Sequence, residues 1–492
     1  MSDFSRVNRL GAAAAGIPEA DLEQRLEAGG VHVTVDARLP GALLAARVLL
    51  TTLRRMPGRL SLDPAGIPRS TVAKFAAAVD AIDPTRGLRV DAAIPKSVCQ
   101  VHVGTTTSSP NAIRVVPDGY GAHVARAADV VITQSRPAHP LGSVQAAAFG
   151  AAEAFKDNAR VLPNRRQDHD HLSWCPVALS HDLELAPIVA GTMWLDLALA
   201  GCGAVGTANA LILAELDATG NILALDRQEV GPENVATYSL GGRDDGENRR
   251  RKVDLVASAL SRYHVVTRHG DLEELVGAVD DGEVLWPGVV LSGLDSVPAR
   301  HAVQRLWPDR LIDVGTGDTA VGLHEVVAEK GPCLMCFFPT GGDVSAVVRL
   351  SEITGLTVEF LGRGHETLLA EHIAHLDEDK RNLLAPHVGK QVCSLAEAAG
   401  LVEGGGAYQP AVPFVALQAA CLGVGRLIAI EAEMPGLPNF VQYDTLMGPR
   451  PDASDDRGPA RGCYCQANAE LISRVRASRE QRRARGTHGV TG

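Results

Sequence analysis

Three observations predict an α/β protein with a mainly parallel sheet in its second half and another α/β domain before it. The chain has 492 residues, beyond the usual size of one domain. Strand-like and helix-like patterns alternate through both halves. The stretch "LALAGCGAVGTANA" at 197–210 runs an apolar strand into Gly201-x-Gly203-x-x-Gly206 and then a helix.

Each element follows from its pattern. Residues 1–30 read as helical and polar. "VHVTVDA" (31–37) alternates like a strand, "GALLAARVLLTTLRRM" (41–56) is an amphipathic helix, and "STVAKFAAAVDAI" (70–82) is another. "LRVDAAIP", "CQVHVGT", "AIRVVP" (112–117) and "ADVVITQS" (128–135) read as strands, and "SVQAAAFGAAEAFKD" (143–157) as a helix. We take 1–160 as the N-terminal α/β domain. The Pro-, His- and Asp-rich stretch 161–192 reads as a solvated linker, with Arg165, Arg166, His169 and His171 as its polar cluster.

The second domain spans 193–340 and 413–466. "NILALD" (221–226), "VVLSGLD" (289–295), "RLIDVGT" and "TAVGLHEVVAE" (319–329) are its strands, with "RRRKVDLVASALSRY" (249–263) and "ARHAVQRLW" as helices. Residues 341–412 form an insertion of weak helices. "PFVALQAACLGVGRLIAIEA" (413–432) is a long apolar helix, and "FVQYDTLM" is strand-like. The basic tail 467–492 reads as a frayed helix with a disordered end.

Composition excludes several classes. The chain is 46% hydrophobic and 21% charged, as in ordinary globular proteins, with a net charge of −11. An acidic balance argues against a general nucleic-acid binder. No uninterrupted apolar run approaches the roughly 20 residues that span a bilayer, so no membrane association is expected. The N-terminus has no basic segment followed by a hydrophobic one, so a cytoplasmic location is expected. The nine cysteines are odd in number and unevenly spaced, and in a reducing compartment paired spacings among them suggest metal ligands over disulfides.

The glycine turn would place backbone N–H groups at a helix N-terminus, where they can hold phosphate. Asp226 ends the next strand of this Rossmann-type unit, where a carboxylate accepts from ribose hydroxyls. Both a dinucleotide and ATP fit these features. Asn234, Lys252 and Asp295 then follow in order. A cation near phosphates stabilises an in-line displacement on phosphorus, and a carboxylate at a strand end can hold Mg²⁺. That pairing suits ATP cleavage better than hydride transfer. Cys333-x-x-Cys336 and Cys463-x-Cys465 fit a Zn(Cys)₄ clasp tying the C-terminal segment onto the domain.

Together "LAGCGAVGTANALILAELDATGNILALDRQEVGPENVATYSLG", "RRRKVD", "VVLSGLDSVPAR" and "GPCLMCFFP" resemble the ThiF/MoeB/E1 superfamily of ubiquitin-activating-like adenylyltransferases. The resemblance covers residues 193–340 and 413–466. It implies an ATP- and Mg²⁺-dependent enzyme that adenylates the C-terminal carboxylate of a ubiquitin-like protein, a sulfur-carrier protein or a precursor peptide. Homodimers are the family's usual form. Gly201, Gly203 and Gly206 match its nucleotide loop and Asp226 its ribose-binding acid. Asn234 matches the asparagine of its N-L-x-R-Q segment, Lys252 its phosphate lysine and Asp295 its Mg²⁺ aspartate, with Ser296 in place of the usual Asn. Cys333, Cys336, Cys463 and Cys465 match its structural Zn²⁺ ligands, although the second pair is CxC. The family's arginine falls on Thr237, and Gln228 stands where many members have Asp. Either Arg243, Arg249, Arg250 or Arg251 then supplies the missing charge or adenylation is impaired, and Arg249 is counted with the nucleotide-binding set.

Cys393 is the candidate thioester cysteine, being close to Lys390 and His387 and just before a short helix. The N-terminal domain reads either as an inactive E1-like half standing in for a second subunit or as a substrate-recognition module. Two other readings stay open: a catalytically degenerate E1-like scaffold that binds protein partners, and an NAD-dependent oxidoreductase.

Overall fold

The computed structural model describes residues 7–9, 12, 16–93, 98–107, 109–126, 129–160, 171–339, 346–362, 367–390, 392, 395 and 412–487. The chain divides into two units, 1–337 with 410–492, and 338–409. In the first unit, strands β1 (Gly30–Val35), β2 (Arg59–Leu62), β3 (Arg89–Val90), β4 (Cys99–Val103), β5 (Ile113–Asp118), β6 (Gly121–Ala125) and β7 (His171–Trp174) form one sheet, ordered β3-β2-β1-β4-β5-β6-β7. Strands β8 (Met193–Ala200), β9 (Ala218–Leu225), β10 (His264–Arg268), β11 (Val289–Ser292), β12 (Arg310–Gly317), β13 (Ala320–Val327), β14 (Phe440–Asp444) and β15 (Ser454–Asp455) form the other, ordered β10-β9-β8-β11-β12-β13-β14-β15. In each sheet the first five strands are parallel and the rest antiparallel. The protein is thus a mixed α/β fold with two largely parallel sheets of Rossmann-like order.

The helices that matter below are α1 (Ala42–Arg54), α2 (Arg69–Ile82), α3 (Pro140–Ala159), α4 (Ala204–Glu215), α5 (Lys252–Ala259), α6 (Val297–Gln304), α7 (Pro413–Glu431) and α8 (Ala469–Thr487). The two halves of this unit repeat one plan: β1-α1-β2 matches β8-α4-β9, and α3 matches α7. The repeat is also written in the residues. Leu60-Ser61-Leu62-Asp63 ends β2 as Leu223-Ala224-Leu225-Asp226 ends β9. Pro140-x₄-Gln145-Ala146-Ala147-x₂-Gly150 opens α3 as Pro413-x₄-Gln418-Ala419-Ala420-x₂-Gly423 opens α7. The matched glycines let the helices lie close on their sheets. A Cβ at Gly150 would sit 3.3 Å from Val101 of β4, and one at Gly423 would sit 3.0 Å from Leu291 of β11. Both helices are buried along most of their length and pack on each other, with the Phe155 and Phe414 rings 5.4 Å apart.

The matched turns differ. In the second half the chain passes from β8 to α4 through Gly201 and Gly203. In the first half Asp36–Gly41, with Leu39 and Pro40, takes that place, and its glycine, Gly41 at φ of 79°, is packed so closely that a Cβ would strike Ala138 and Ser143. The second unit, 338–409, is a set of short helices around its own core, including Leu350, Leu361, Leu368, Leu384 and Val392.

Four expectations change. Residues 129–135 form no strand, because Asp118 captures the segment: its carboxylate takes the Ser135 N–H at 2.8 Å and the Arg136 N–H at 2.7 Å. The stretch 161–192 is more than a linker, since His171–Trp174 pairs with β6 and buries Leu172 and Trp174. His171 from its polar cluster stacks on His123, while Arg165, Arg166 and His169 lie outside the described residues. The tail is a docked helix as far as residue 487. Arg479 of α8 is buried against Asp280 and the Arg305 and Leu306 carbonyls at 2.7–2.9 Å, and Arg483 meets Asp196 at 2.6 Å. The basic residues that suggested a solvated end are counter-charges for acids of the second half. Finally, α7 is long and apolar enough to cross a membrane, but 94% of its most apolar window is buried inside the fold.

Candidate functional site

The candidate site lies at the C-terminal ends of β8, β9 and β11, where parallel α/β sheets open a crevice. Gly201 follows β8 with φ of 86°, a left-handed conformation that favours glycine. A Cβ at Gly206 would collide with the Gly201 carbonyl, so glycine there lets α4 begin close against the strand. Gly293, just past β11, touches the same turn: a Cβ on Gly201 would lie 3.1 Å from the Gly293 carbonyl oxygen. Asp295, two residues further on, is exposed beside this turn, ahead of α6. Ser296 caps α6 by accepting the Ala299 N–H at 3.3 Å.

Asp226 holds the turn from the β9 side. Its Oδ2 accepts the Cys202 N–H at 2.8 Å and its Oδ1 the Gln228 N–H at 2.7 Å. Cys202 is fully buried, and burial together with the Asp226 charge pushes its thiol well above the usual range, so it is a packing residue. Lys252 opens α5 and is buried, donating to Gln228 Oε1 at 2.5 Å and lying 5.2 Å from the centre of the Tyr238 ring. Gln228 thus gives Lys252 a neutral acceptor, and among the described residues no carboxylate is paired with this cation. Asn234 is buried and accepts the Gly231 N–H through Oδ1 at 2.8 Å, shaping the loop after β9.

Thr237 is fully buried, and its hydroxyl donates to the Asn234 carbonyl at 3.1 Å, so it is an internal brace of this loop. Of the arginines expected to compensate, Arg243 pairs with Glu247 at 2.5 Å and Arg250 with Asp245 at 3.1 Å. Arg251 precedes α5, and Arg249 is exposed at φ of 48°. The fold therefore brings Gly201, Gly203, Gly206, Asp226, Asn234 and Lys252 to one edge, with Asp295 beside the glycine turn. Cys393 lies outside the described residues.

Sequence reasoning passed over a buried ionic cluster behind this edge. Asp313 of β12 accepts from Ser292 at 2.7 Å and from Arg300 of α6 at 3.0 Å, with His324 at 3.4 Å. Burial alone would push Asp313 up, but Arg300, His324 and Ser292 hold it below the usual carboxylate range. A single Asp inside the apolar strand "RLIDVGT" was the available signal, because a buried carboxylate requires partners.

The four paired cysteines meet in space. Their Sγ atoms all lie within 4.8 Å of one another, with Cys333–Cys336 at 3.7 Å, Cys333–Cys463 at 3.6 Å and Cys336–Cys465 at 3.5 Å. A tetrahedral zinc with bonds of about 2.3 Å to sulfur sets its ligands about 3.8 Å apart, so the set fits that ion. The Ala460 N–H donates to Cys336 Sγ at 3.3 Å, as amides around bound thiolates do. Burial first, then Cys336 and Cys465, pushes the Cys333 thiol up, which is the cost a bound cation would remove.

No family model matches the chain, and no curated protein matches it. Solved structures do. Its structural neighbours include E. coli MccB and PaaA. An MccB structure with selenomethionyl MccA aligns at 13% identity over 72% of this chain and 98% of that one, with a TM-score of 0.35. Another, with MccA-N7isoASN, aligns at 16% over 55% of this chain and 66% of that one, with a TM-score of 0.33. Selenomethionyl PaaA aligns at 21% over 27% of this chain and 40% of that one, with a TM-score of 0.21. The chain thus spans just under two thirds of the MccB chain in the complex with MccA-N7isoASN and two fifths of PaaA.

Proposed function

We propose that the protein is an E1-like adenylyltransferase that uses ATP and Mg²⁺ to activate the C-terminal carboxylate of a peptide or of a ubiquitin-like or sulfur-carrier protein. The observation that carries this reading is Lys252, a buried cation with a neutral partner, held at the same edge as a glycine turn whose Cys202 N–H is held by Asp226. Such an edge suits a polyphosphate. The turn would hold phosphate oxygens and Asp226 the ribose, while Lys252 would offset charge developing on the leaving pyrophosphate. Asp295 would hold Mg²⁺, which would screen the triphosphate. The acceptor carboxylate would attack the α-phosphorus, pyrophosphate would leave, and an acyl adenylate would form. Cys333, Cys336, Cys463 and Cys465 would hold a structural Zn²⁺ away from this chemistry.

The paired halves support a further part of the reading: the N-terminal half takes the place of a second subunit, which leaves the expected homodimer unnecessary for completing a site. Where a thioester follows, Cys393 is the thiol we assign to it, and a hydroxylamine-labile adduct lost in Cys393→Ser would support that. A silent scaffold is the second reading, favoured by Thr237 where the family has arginine. An NAD-dependent oxidoreductase leaves Lys252 and Asp295 without a task.

ATP–pyrophosphate exchange with Mg²⁺ and a panel of acceptor peptides and carrier proteins tests these readings. Exchange that disappears in Lys252→Ala and Asp295→Ala supports the enzyme. ATP binding without exchange for every acceptor supports the scaffold.

A further inference from the structure

Arg55 ends the run of α1 in the N-terminal half, yet its side chain is spent on the other half. Its guanidinium donates to the Val235, Ser239 and Gly241 carbonyls, the last at 2.9 Å, and the residue is only 3% exposed. Those three carbonyls bracket Tyr238, whose ring lies under the Lys252 ammonium group. The same loop is fixed at two other points. The Ser239 N–H donates to Thr207 Oγ1 at 3.1 Å, one residue past Gly206, and Gly242 lies so close to Ala81 of α2 that a Cβ would strike the Ala81 carbonyl. The loop from Val235 to Gly242 is therefore held between the glycine-turn helix and two helices of the opposite half.

A planar guanidinium can bind several carbonyls at once, and a buried one with three acceptors has its donors committed to fixing backbone. We propose that Arg55 is a positioning residue for the nucleotide site, through which the N-terminal half fixes the Val235–Gly242 loop and with it Tyr238 and Lys252. This rests on the reading of that edge as a nucleotide site. It assigns the N-terminal half a task that its own filled turn, Asp36–Gly41, does not suggest.

Hydrogen exchange of the 232–242 amides and calorimetric titration with ATP and Mg²⁺, on the full chain, test it. Arg47→Ala is the control, because Arg47 also crosses between halves, to Glu215 at 2.6 Å, without touching the loop. Removing a charged donor from buried acceptors is expected to weaken ATP binding by about tenfold or more in Arg55→Ala. Loop protection should fall by a similar factor, and Arg55→Lys should restore part of both. Arg47→Ala should change neither. Should Arg55→Ala fail to fold, Arg55→Lys and Gly242→Ala carry the same comparison. Unchanged loop protection in the Arg55 variants, or an equal loss in Arg47→Ala, overturns the proposal. A wild-type protein that binds no ATP overturns the nucleotide reading, and with it the nucleotide role of Arg55. Hydrogen exchange still decides separately whether Arg55 holds the loop.

Discussion

Asp63 and Asp226 occupy matched places in the two sheets, each just past the strand beside the central one. Each accepts the backbone N–H two residues on, from Ala65 at 2.9 Å and from Gln228 at 2.7 Å. Asp226 has the Gly201–Gly206 turn in front of it, and its second oxygen takes the Cys202 N–H. Asp226→Ala should therefore weaken ATP binding by roughly tenfold or more, the scale of a lost charged hydrogen bond, while Asp63→Ala leaves it unchanged. Calorimetric titration of the two variants checks this, and equal behaviour would place the ligand elsewhere.

The Phe155–Phe414 contact joins the two matched long helices at the seam between the halves. Phe414 is fully buried. Phe414→Ala should cost about 3–5 kcal/mol of unfolding free energy. Urea titration followed by tryptophan fluorescence measures it. Trp174 reports on the first sheet, and Trp286 packs beside the second, its indole N–H bonded to the Leu306 carbonyl at 2.7 Å. A single shared transition is expected. Loss of less than about 1 kcal/mol would mean the seam does not bear on stability.

The cysteine cluster predicts one zinc per chain in wild-type protein and none in Cys463→Ser, measured by elemental analysis. Removing the metal with a chelator should lower the melting temperature, because zinc binding in such sites adds to folding free energy. Metal-free wild-type protein, purified without chelator, would refute the clasp.

His139 caps α3, accepting the Leu141 N–H on Nδ1 at 3.3 Å, and burial lowers its pKa from 6.5 to about 4. The unfolded chain takes up this proton before the folded one does. The contribution is fully present above pH 6.5 and is lost as pH falls towards 4, with no further loss from this group below that. The change is on the order of 3 kcal/mol at most. His139→Asn keeps a capping acceptor and removes the titration, so its stability should be flatter between those limits. Urea midpoints at pH 7 and pH 4.5 compare the two proteins, and identical slopes would exclude His139 as a source.

Much of the second half was legible because its signals are local. The glycine turn, Asp226 and the cysteine pairs each announce themselves within a few residues. The duplication was legible only as one of two readings of the N-terminal domain, because its signature is split between the two halves. Gln145 and Gln418 lie at the same place in matched helices, but 273 positions separate them and neither helix looks unusual alone. The tail was misread for a related reason: Arg476, Arg479 and Arg483 look solvent-seeking until Asp309, Asp280 and Asp196 are brought beside them. Charge partners distant in sequence are invisible to pattern reading. Arg55 belongs to the same class, since its acceptors are backbone carbonyls some 180 residues away.

The seam between the matched halves has a consequence for dilution. Two separate subunits part when their concentration falls below the dissociation constant, but halves joined by one chain stay at a fixed effective concentration. A site that needs both halves would then be assembled at any protein concentration. Output would scale linearly with the amount of protein, without the threshold that a self-associating pair imposes.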